Sequence, residues 1–272
     1  MHTNHYRLCM DLQGKVVLLT GASDGIGAAA ARIFHRRGAK LALVARSEDK
    51  LRRVAAETGN ALAIVGDVTS GEVRRRAVDS AMKEFGRIDV LVNNAGVGMY
   101  VPAYHADMAQ VRGMYELNVF AVLELVQLVV PHMRAAGGGM IVNVSSVAGK
   151  VPLPWFTNYT ATKFALCATT DTLRIELKPF GIRCLTVCPG YVKTGFQDHS
   201  LAGRPPDRLW SMKKFAITAD KCAAALVRGV EREKRTVMTP VLGGLLQPLY
   251  VLAPRLSDWY LERIYRGLKM GQ

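Results

Sequence analysis

Val16-Val17-Leu18-Leu19-Thr20-Gly21-Ala22-Ser23-Asp24-Gly25-Ile26-Gly27 is the stretch on which the fold is decided. Val16 to Thr20 is a short, continuous apolar run ended by glycine, which reads as a strand, and Ile26 to Arg37 carries a helical pattern. Gly21, Gly25 and Gly27 therefore fall where strand turns into helix. Glycines at such a turn let the backbone approach a pyrophosphate, and the helix N-terminus behind it offers free N–H groups and a partial positive charge. A lone glycine triplet says little; the strand before it and the helix after it supply the context the motif needs. The competing reading is a tight turn that holds no ligand.

The same alternation continues outward. Leu41 to Ala45, Ala61 to Val65, Val90 to Val92, Met140 to Val144, Arg183 to Val187 and Thr236 to Thr239 read as strands. Between them Glu48 to Glu57, Glu72 to Phe85, one long segment from Val111 to Met133, and Asn158 to Lys178 read as helices. Strands that are apolar throughout are buried on both faces, which implies a parallel sheet covered by helices. The expected fold is α/β, a single doubly wound, Rossmann-type domain with a parallel sheet of about seven strands and helices on both faces. It is expected to occupy residues 14–240, after an N-terminal arm (residues 1–13) and before a C-terminal helical extension (residues 241–272).

Composition narrows the class. At 272 residues, 50% hydrophobic and 21% charged, the chain has ordinary globular content. Its formal net charge of +14 raises nucleic acid as a partner, but the basic residues are scattered over helical segments without interleaved aromatics, so none is expected. A positive field that attracts an anionic cofactor or acidic substrate is the better account. The five cysteines include no Cys-x-x-Cys pair and read as reduced core thiols of a cytoplasmic protein. No signal peptide is expected, and neither Leu117 to Val130 nor Val241 to Ala253 reads as a membrane span. His105, His132 and His199 form no ligand spacing, so no metal is expected.

Candidate site residues cluster at strand ends, where open α/β sheets bind ligands. Arg46 ends the second strand, where an acidic residue would read a ribose 2′-hydroxyl; its fork suits a 2′-phosphate instead, and favours NADP. Asp24 sets a carboxylate near the phosphate turn, or simply caps the helix. Asp67-Val68 is placed to meet an adenine amine, with a turn-forming role for Asp67 as the alternative. Asn93-Asn94-Ala95-Gly96 permits close approach to a cofactor, or wires strand ends together. Further on, Tyr159 and Lys163 are four apart, one helical turn, which sets an ammonium beside a phenol and could tune it for proton transfer near neutral pH. Taken alone, that spacing equally describes a solvated lysine on an ordinary helix.

Together these motifs resemble the short-chain dehydrogenase/reductase family over about Gly14 to Glu233. The residues that carry the resemblance are Thr20-Gly21-x-x-x-Gly25-x-Gly27, Asn93-Asn94-Ala95-Gly96, Asn118, Ser146, Tyr159-x-x-x-Lys163 and Pro189-Gly190, in family order. Ser146 stands thirteen residues before Tyr159, the family spacing, so Ser145 is the neighbour. The resemblance implies that Tyr159 donates a proton to a substrate carbonyl, that Lys163 lowers the Tyr159 pKa and binds ribose hydroxyls, that Ser146 bonds the developing oxyanion and that Asn118 holds a water in a proton relay. It implies NADP(H) contacts at Gly21, Ser23, Asp24, Gly25, Ile26, Gly27, Arg46, Asp67, Val68, Asn94, Ala95, Gly96, Tyr159, Lys163, Pro189, Gly190, Val192 and Thr194.

Substrate recognition is expected around Val97 to Tyr100, Val151 to Phe156 and the loop after Thr194, with Trp155, Phe156, Phe196, Trp210 and Phe215 as an apolar wall or as ordinary core. Arg204 and Pro205-Pro206 read as an exposed loop, consistent with a lid. The tail, with Trp259, Tyr260, Ile264 and Tyr265 among Arg255, Arg263, Arg266 and Lys269, packs on its own domain or a sister subunit, or makes a peripheral membrane contact. Its likeness to extensions of hydroxysteroid- and lipid-directed members implies a bulky apolar carbonyl or alcohol as substrate. The expected function is an NADP(H)-dependent oxidoreductase working as a homodimer or homotetramer. A 3-oxoacyl thioester reductase is the alternative within the class, and a non-catalytic NADP sensor the alternative outside it.

Overall fold

The computed structural model describes residues 10–203, 216–240 and 246–265. Along the chain, β1 (Val16–Thr20), α1 (Gly25–Arg36), β2 (Lys40–Ala45), α2 (Glu48–Glu57), β3 (Leu62–Val65), α3 (Gly71–Phe85) and β4 (Val90–Asn93) alternate as the apolar runs require. There follow α4 (Met108–Tyr115), a π-helical turn (Glu116–Phe120), α5 (Ala121–Ala135), β5 (Gly139–Val144), α6 (Thr157–Glu176) and β6 (Ile182–Pro189). The described chain closes with β7 (Val192–Lys193), β8 (Ile217–Thr218), α7 (Ala219–Glu231), β9 (Thr236–Thr239), α8 (Leu246–Leu252) and α9 (Pro254–Tyr265).

Seven strands form one parallel sheet in the order β3-β2-β1-β4-β5-β6-β9. Leu19 of β1 is in register with Leu43 on one side and Val92 on the other, so strand order reverses about β1 and a crevice opens at the carboxyl ends of β1 and β4. Every residue of β1 is buried, because helices cover both faces. On one face Ala28 to Ala31 and Phe34 of α1 pack with Leu226 and Val230 of α7. On the other, Val73 and Ala77 of α3 pack with Leu125, Val129 and Met133 of α5. Each fully buried large apolar side chain of this kind contributes about 1.5–3 kcal/mol.

The structure differs from the sequence expectations at several places. The long helix expected from Val111 to Met133 runs from Met108 to Ala135 and is interrupted by the π-turn, in which Ala121 N donates to the Glu116 carbonyl five residues back. By length and composition this helix would suffice to cross a membrane, yet Val111, Met114, Leu125, Val129 and Met133 are buried against the rest of the protein. Helix α7 and the two-residue β7–β8 pair were not foreseen. Leu12 is buried and Met10 N donates to the Glu231 carbonyl at 2.8 Å, so the part of the expected arm that is described packs into the domain.

In the tail, α8 and α9 are joined by helix-like bonds, Ala253 N to the Leu249 carbonyl and Ser257 N to the Ala253 carbonyl. Leu249, Leu252, Leu256, Trp259 and Tyr260, spaced three and four apart, are exposed, Leu252 at 83%. Residues 241–245, Arg266 and Lys269 lie outside the described residues.

Candidate functional site

The glycine turn is folded hard against the end of β4. Asn94 Nδ2 donates to the carbonyls of Thr20 and Gly21, both at 3.0 Å. The Thr20 hydroxyl accepts from the amides of Asn94 and Ala95 and donates to the Val92 carbonyl. A Cβ on Gly21 would meet Asn94 Nδ2 at 2.8 Å, and one on Gly27 would meet the Gly21 carbonyl oxygen at 2.1 Å. Gly21 and Gly25 also hold φ values of +65° and +54°, where side chains are strained. Behind this turn α1 begins with no acidic residue in its first turn. The glycine backbone of the turn and the helix amides beyond Gly25 fit a dinucleotide pyrophosphate. Ser23 and Ile26 are half-buried along it, and Thr194 lies over Gly25, its Cγ2 3.1 Å from where a Cβ would stand.

At the ribose end both readings of Asp24 and Asp67 are resolved toward local bonds. Asp24 caps α1, its Oδ1 accepting from Gly25 N at 2.7 Å, while Oδ2 pairs with Lys50 Nζ at 3.1 Å. Lys50 and the helix amide hold the Asp24 carboxyl below its usual range against partial burial. Asp67 Oδ1 accepts from the amide and hydroxyl of Thr69, an Asx turn, and its Oδ2 lies 3.6 Å from Arg46 Nη1. Arg46 is largely exposed, so its fork is free to turn outward. Val68 is buried. Asn93 does the wiring: its Nδ2 donates to Asn143 Oδ1 on β5, and Asn143 donates on to Thr170 of α6.

The proposed reacting groups come from three elements. Tyr159 and Lys163 share one face of α6 and are 7% and 4% exposed. Lys163 Nζ donates to the Val144 carbonyl at 3.1 Å and stands 5.6 Å from the Tyr159 ring centre. Ser146 heads the turn after β5; its hydroxyl accepts from Ala148 N and donates to the Pro189 carbonyl. Ser145 is turned away, its hydroxyl donating to the Lys163 carbonyl and accepting from Cys167 Sγ. A Cβ on Gly96 would stand 3.2 Å from Asn118 Oδ1 and 3.4 Å from Lys163 Nζ, so the missing side chain keeps a gap between those two polar atoms.

Two observations bear on what was expected of this group. Burial pushes the Tyr159 phenol up to about 12, opposed in part by the neighbouring Ser146 hydroxyl. Burial also brings Lys163 down to about 8, which weakens the positive charge that was to act on the phenol. Asn118, in turn, sits in the π-turn with both amide donors committed, to the Val97 carbonyl and to Thr162 Oγ1, and with Oδ1 accepting from Val97 N. A water can be held only at the second lone pair of Oδ1.

Around Tyr159 the walls are apolar. The ring centre of Phe156 is 6.2 Å away and that of Phe196 6.0 Å, while Tyr100 meets Phe156 edge-on at 4.3 Å. Val97, Met99, Leu153 and Met114 complete the cluster. Leu201 N donates to the Gly98 carbonyl and Tyr100 N to that of Ala202, which sews the strap after Thr194 onto the loop after β4. Trp155 holds φ +70° at the head of α6. Gly190 N bonds the Thr239 carbonyl, following buried Pro189, and Val192 pairs with Ile217. Arg204, Pro205-Pro206, Trp210 and Phe215 lie outside the described residues.

Sequence reasoning passed over Thr162. Its hydroxyl donates to the Tyr159 carbonyl at 2.7 Å and accepts from Asn118, linking the π-turn to the turn of α6 that carries Tyr159. Its place between Tyr159 and Lys163, on the buried face, was the available signal.

Comparison with known proteins agrees with this geometry. A family model described as short chain dehydrogenase matches residues 15–204. The chain is 34% identical over 264 residues to the ketoacyl reductase HetN of Nostoc sp., covering 94% of this chain and 89% of that one. It is 34% identical over 260 residues to an 11-beta-hydroxysteroid dehydrogenase-like protein of Arabidopsis thaliana, covering 92% and 81%. Among solved structures, a short chain dehydrogenase from Burkholderia cenocepacia J2315 in complex with NADP superposes with a TM-score of 0.79 at 26% identity, covering 93% and 99% of the two chains. A 3-ketoacyl-(acyl-carrier-protein) reductase from Brucella melitensis complexed with NADH does so at 0.77 and 28%, covering 84% and 97%.

Proposed function

The chain belongs to the short-chain dehydrogenase/reductase family, and from that membership we propose that it interconverts a carbonyl and a secondary alcohol on an apolar, steroid- or lipid-like substrate with NADP(H). It is an oxidoreductase of a nicotinamide dinucleotide. The observation that carries the reading is Tyr159, a buried phenol beside Ser146 and Lys163, walled by Phe156, Phe196 and Tyr100. A bound nicotinamide supplies the transfer of a hydride to or from the substrate carbon. In reduction Tyr159, which holds its proton at neutral pH, gives it to the substrate oxygen. Ser146 bonds that oxygen as its charge grows, a contribution of about 3 kcal/mol. Lys163, whose ammonium has one acceptor among the described residues, the Val144 carbonyl, keeps N–H groups for ribose hydroxyls. Asn118 Oδ1 and Lys163 Nζ, on either side of Gly96, hold the water that returns a proton to Tyr159.

The test is turnover. Purified protein with NADPH should reduce members of a ketone, aldehyde and steroid panel; binding of NADPH without any turnover would sink the proposal and favour the sensor. NADP preference rests on exposed Arg46; Arg46→Asp should narrow or reverse it, and equal use of NADH and NADPH by the parent refutes it. The Nostoc relative and the +14 charge favour a second reading, a 3-oxoacyl thioester reductase taking an acidic carrier. Comparing acyl-thioester with steroid turnover separates the two.

The apolar stripe on α8 and α9, with Arg263 stacked 5.8 Å from the Trp259 ring, supports a peripheral contact with a membrane surface by a cytoplasmic protein. Exposed Phe120 and Phe164, on the two long helices, support pairing of subunits there, tested by light scattering.

A further inference from the structure

Arg74 on α3 is 4% exposed, a burial arginine tolerates only when it is paired. Its guanidinium spans two separate parts of the molecule. Nη1 donates to the Val68 carbonyl at 2.6 Å and stands 3.7 Å from Glu116 Oε1, while Nη2 bonds Glu124 Oε2. Val68 belongs to the turn after β3, where the adenine end of a cofactor is expected. Glu116 opens the π-turn and receives its five-residue bond, Glu124 lies in the first turn of α5, and Asn118 stands between them. The guanidinium fork is planar and rigid, so all three acceptors are served only while the Val68 turn and both flanks of the π-turn keep one relative position. Nε finds no acceptor among the described residues. A buried guanidinium paired with two half-exposed carboxylates and left with a spare donor is a poor device for stability alone, since an apolar side chain of similar volume would hold α3 on α5 as well.

We propose that Arg74 is a positioning residue that couples occupation of the adenine edge at Val68 to the setting of Asn118 by the π-turn. The inference rests on the reading that Val68 meets the cofactor and Asn118 serves proton return.

Amide hydrogen exchange of residues 114–122, with and without NADPH, reads the coupling directly. In the parent, NADPH slows exchange of this segment. Arg74→Lys keeps the charge and loses the fork: NADPH no longer changes exchange there, NADPH binding weakens about fivefold, and kcat falls about tenfold with KM for the ketone held within about twofold. Arg74→Lys that loses thermal stability alone, with NADPH affinity and protection of residues 114–122 as in the parent, overturns the proposal. Glu116→Gln, on a half-exposed partner, is the second variant; it should lose part of the protection without loss of fold, and full protection in it also overturns the coupling. A parent that binds NADPH and protects residues 114–122 yet reduces no carbonyl ends the catalytic reading and supports the coupling. One whose segment ignores NADPH ends the coupling whatever its turnover.

Discussion

On the cofactor side of Tyr159, the carboxyl edge of the sheet is held by short polar side chains bonded to backbone or to one another, Asn94 to the Thr20 and Gly21 carbonyls, Asp67 to the Thr69 amide, Asn93 to the Asn143 side chain. On the substrate side it is held by rings and aliphatic chains, Phe156, Phe196, Tyr100 and Met99, with a strap fastened by two backbone bonds. A hydrogen-bonded wall has one geometry, because each donor has a direction and a buried orphan is costly. An apolar wall has many near-equal packings, since dispersion contacts are undirected. One side of the site is therefore built to accept a single invariant ligand, and the other to be refitted to different ones.

Tyr159 stands at the seam and should show the largest effect. Tyr159→Phe is expected to lower kcat about 10³-fold, with NADPH affinity measured by fluorescence titration unchanged. A drop in affinity as large as the drop in kcat would mean the two sides are not separable.

Next comes Lys163, whose pKa falls from 10.5 to about 8 on burial. Between those values the unfolded chain binds a proton that the folded chain lacks, so stability from this group rises with pH across the window and is lost as pH falls through 8. Urea unfolding should show the parent gaining up to about 3 kcal/mol relative to Lys163→Met over that range. A flat difference would mean the ammonium is solvated.

Gly27→Ala probes the polar side. Its Cβ would land 2.1 Å from the Gly21 carbonyl oxygen, so the turn must move. A loss of about 2 kcal/mol in unfolding free energy, together with weakened NADPH binding, is expected. Phe196→Ala probes the other side and should be mildest: KM for an apolar ketone up about tenfold, with NADPH binding untouched. Should Phe196→Ala weaken NADPH as much as Gly27→Ala does, the contrast between the walls fails.

The same contrast explains what could be read from the chain. Parallel strands buried on both faces print as apolar runs, so β1 through β6 and β9 stood out, whereas Ser146, Tyr159 and Lys163 were singled out by the family resemblance, the four-residue spacing alone describing a solvated lysine equally well. Burial did not print: nothing in Tyr159-x-x-x-Lys163 says that the phenol and the ammonium are both desolvated. The π-turn was invisible because residues 116–120 keep a helical apolar pattern whichever way they are wound. Thr20, bonding three partners, and Thr162, bonding two, look in sequence like any strand or helix threonine. The β7–β8 pair is too short to make a period, and the exposed stripe of α8 and α9 has the composition of a buried one.

The π-turn also makes the count of residues matter. Such a turn holds one residue more than an α-turn, and each residue advances a helix by about 100°. Removing one of residues 116–120 would let the helix wind regularly through four residues, which turn about as far as the five now do, so Leu125, Val126 and Val129 would still face the sheet and only the neighbourhood of Asn118 would be reset. In this segment a gap of one is a local event, whereas the same gap inside the regular turns of α5 is a change of phase for everything after it.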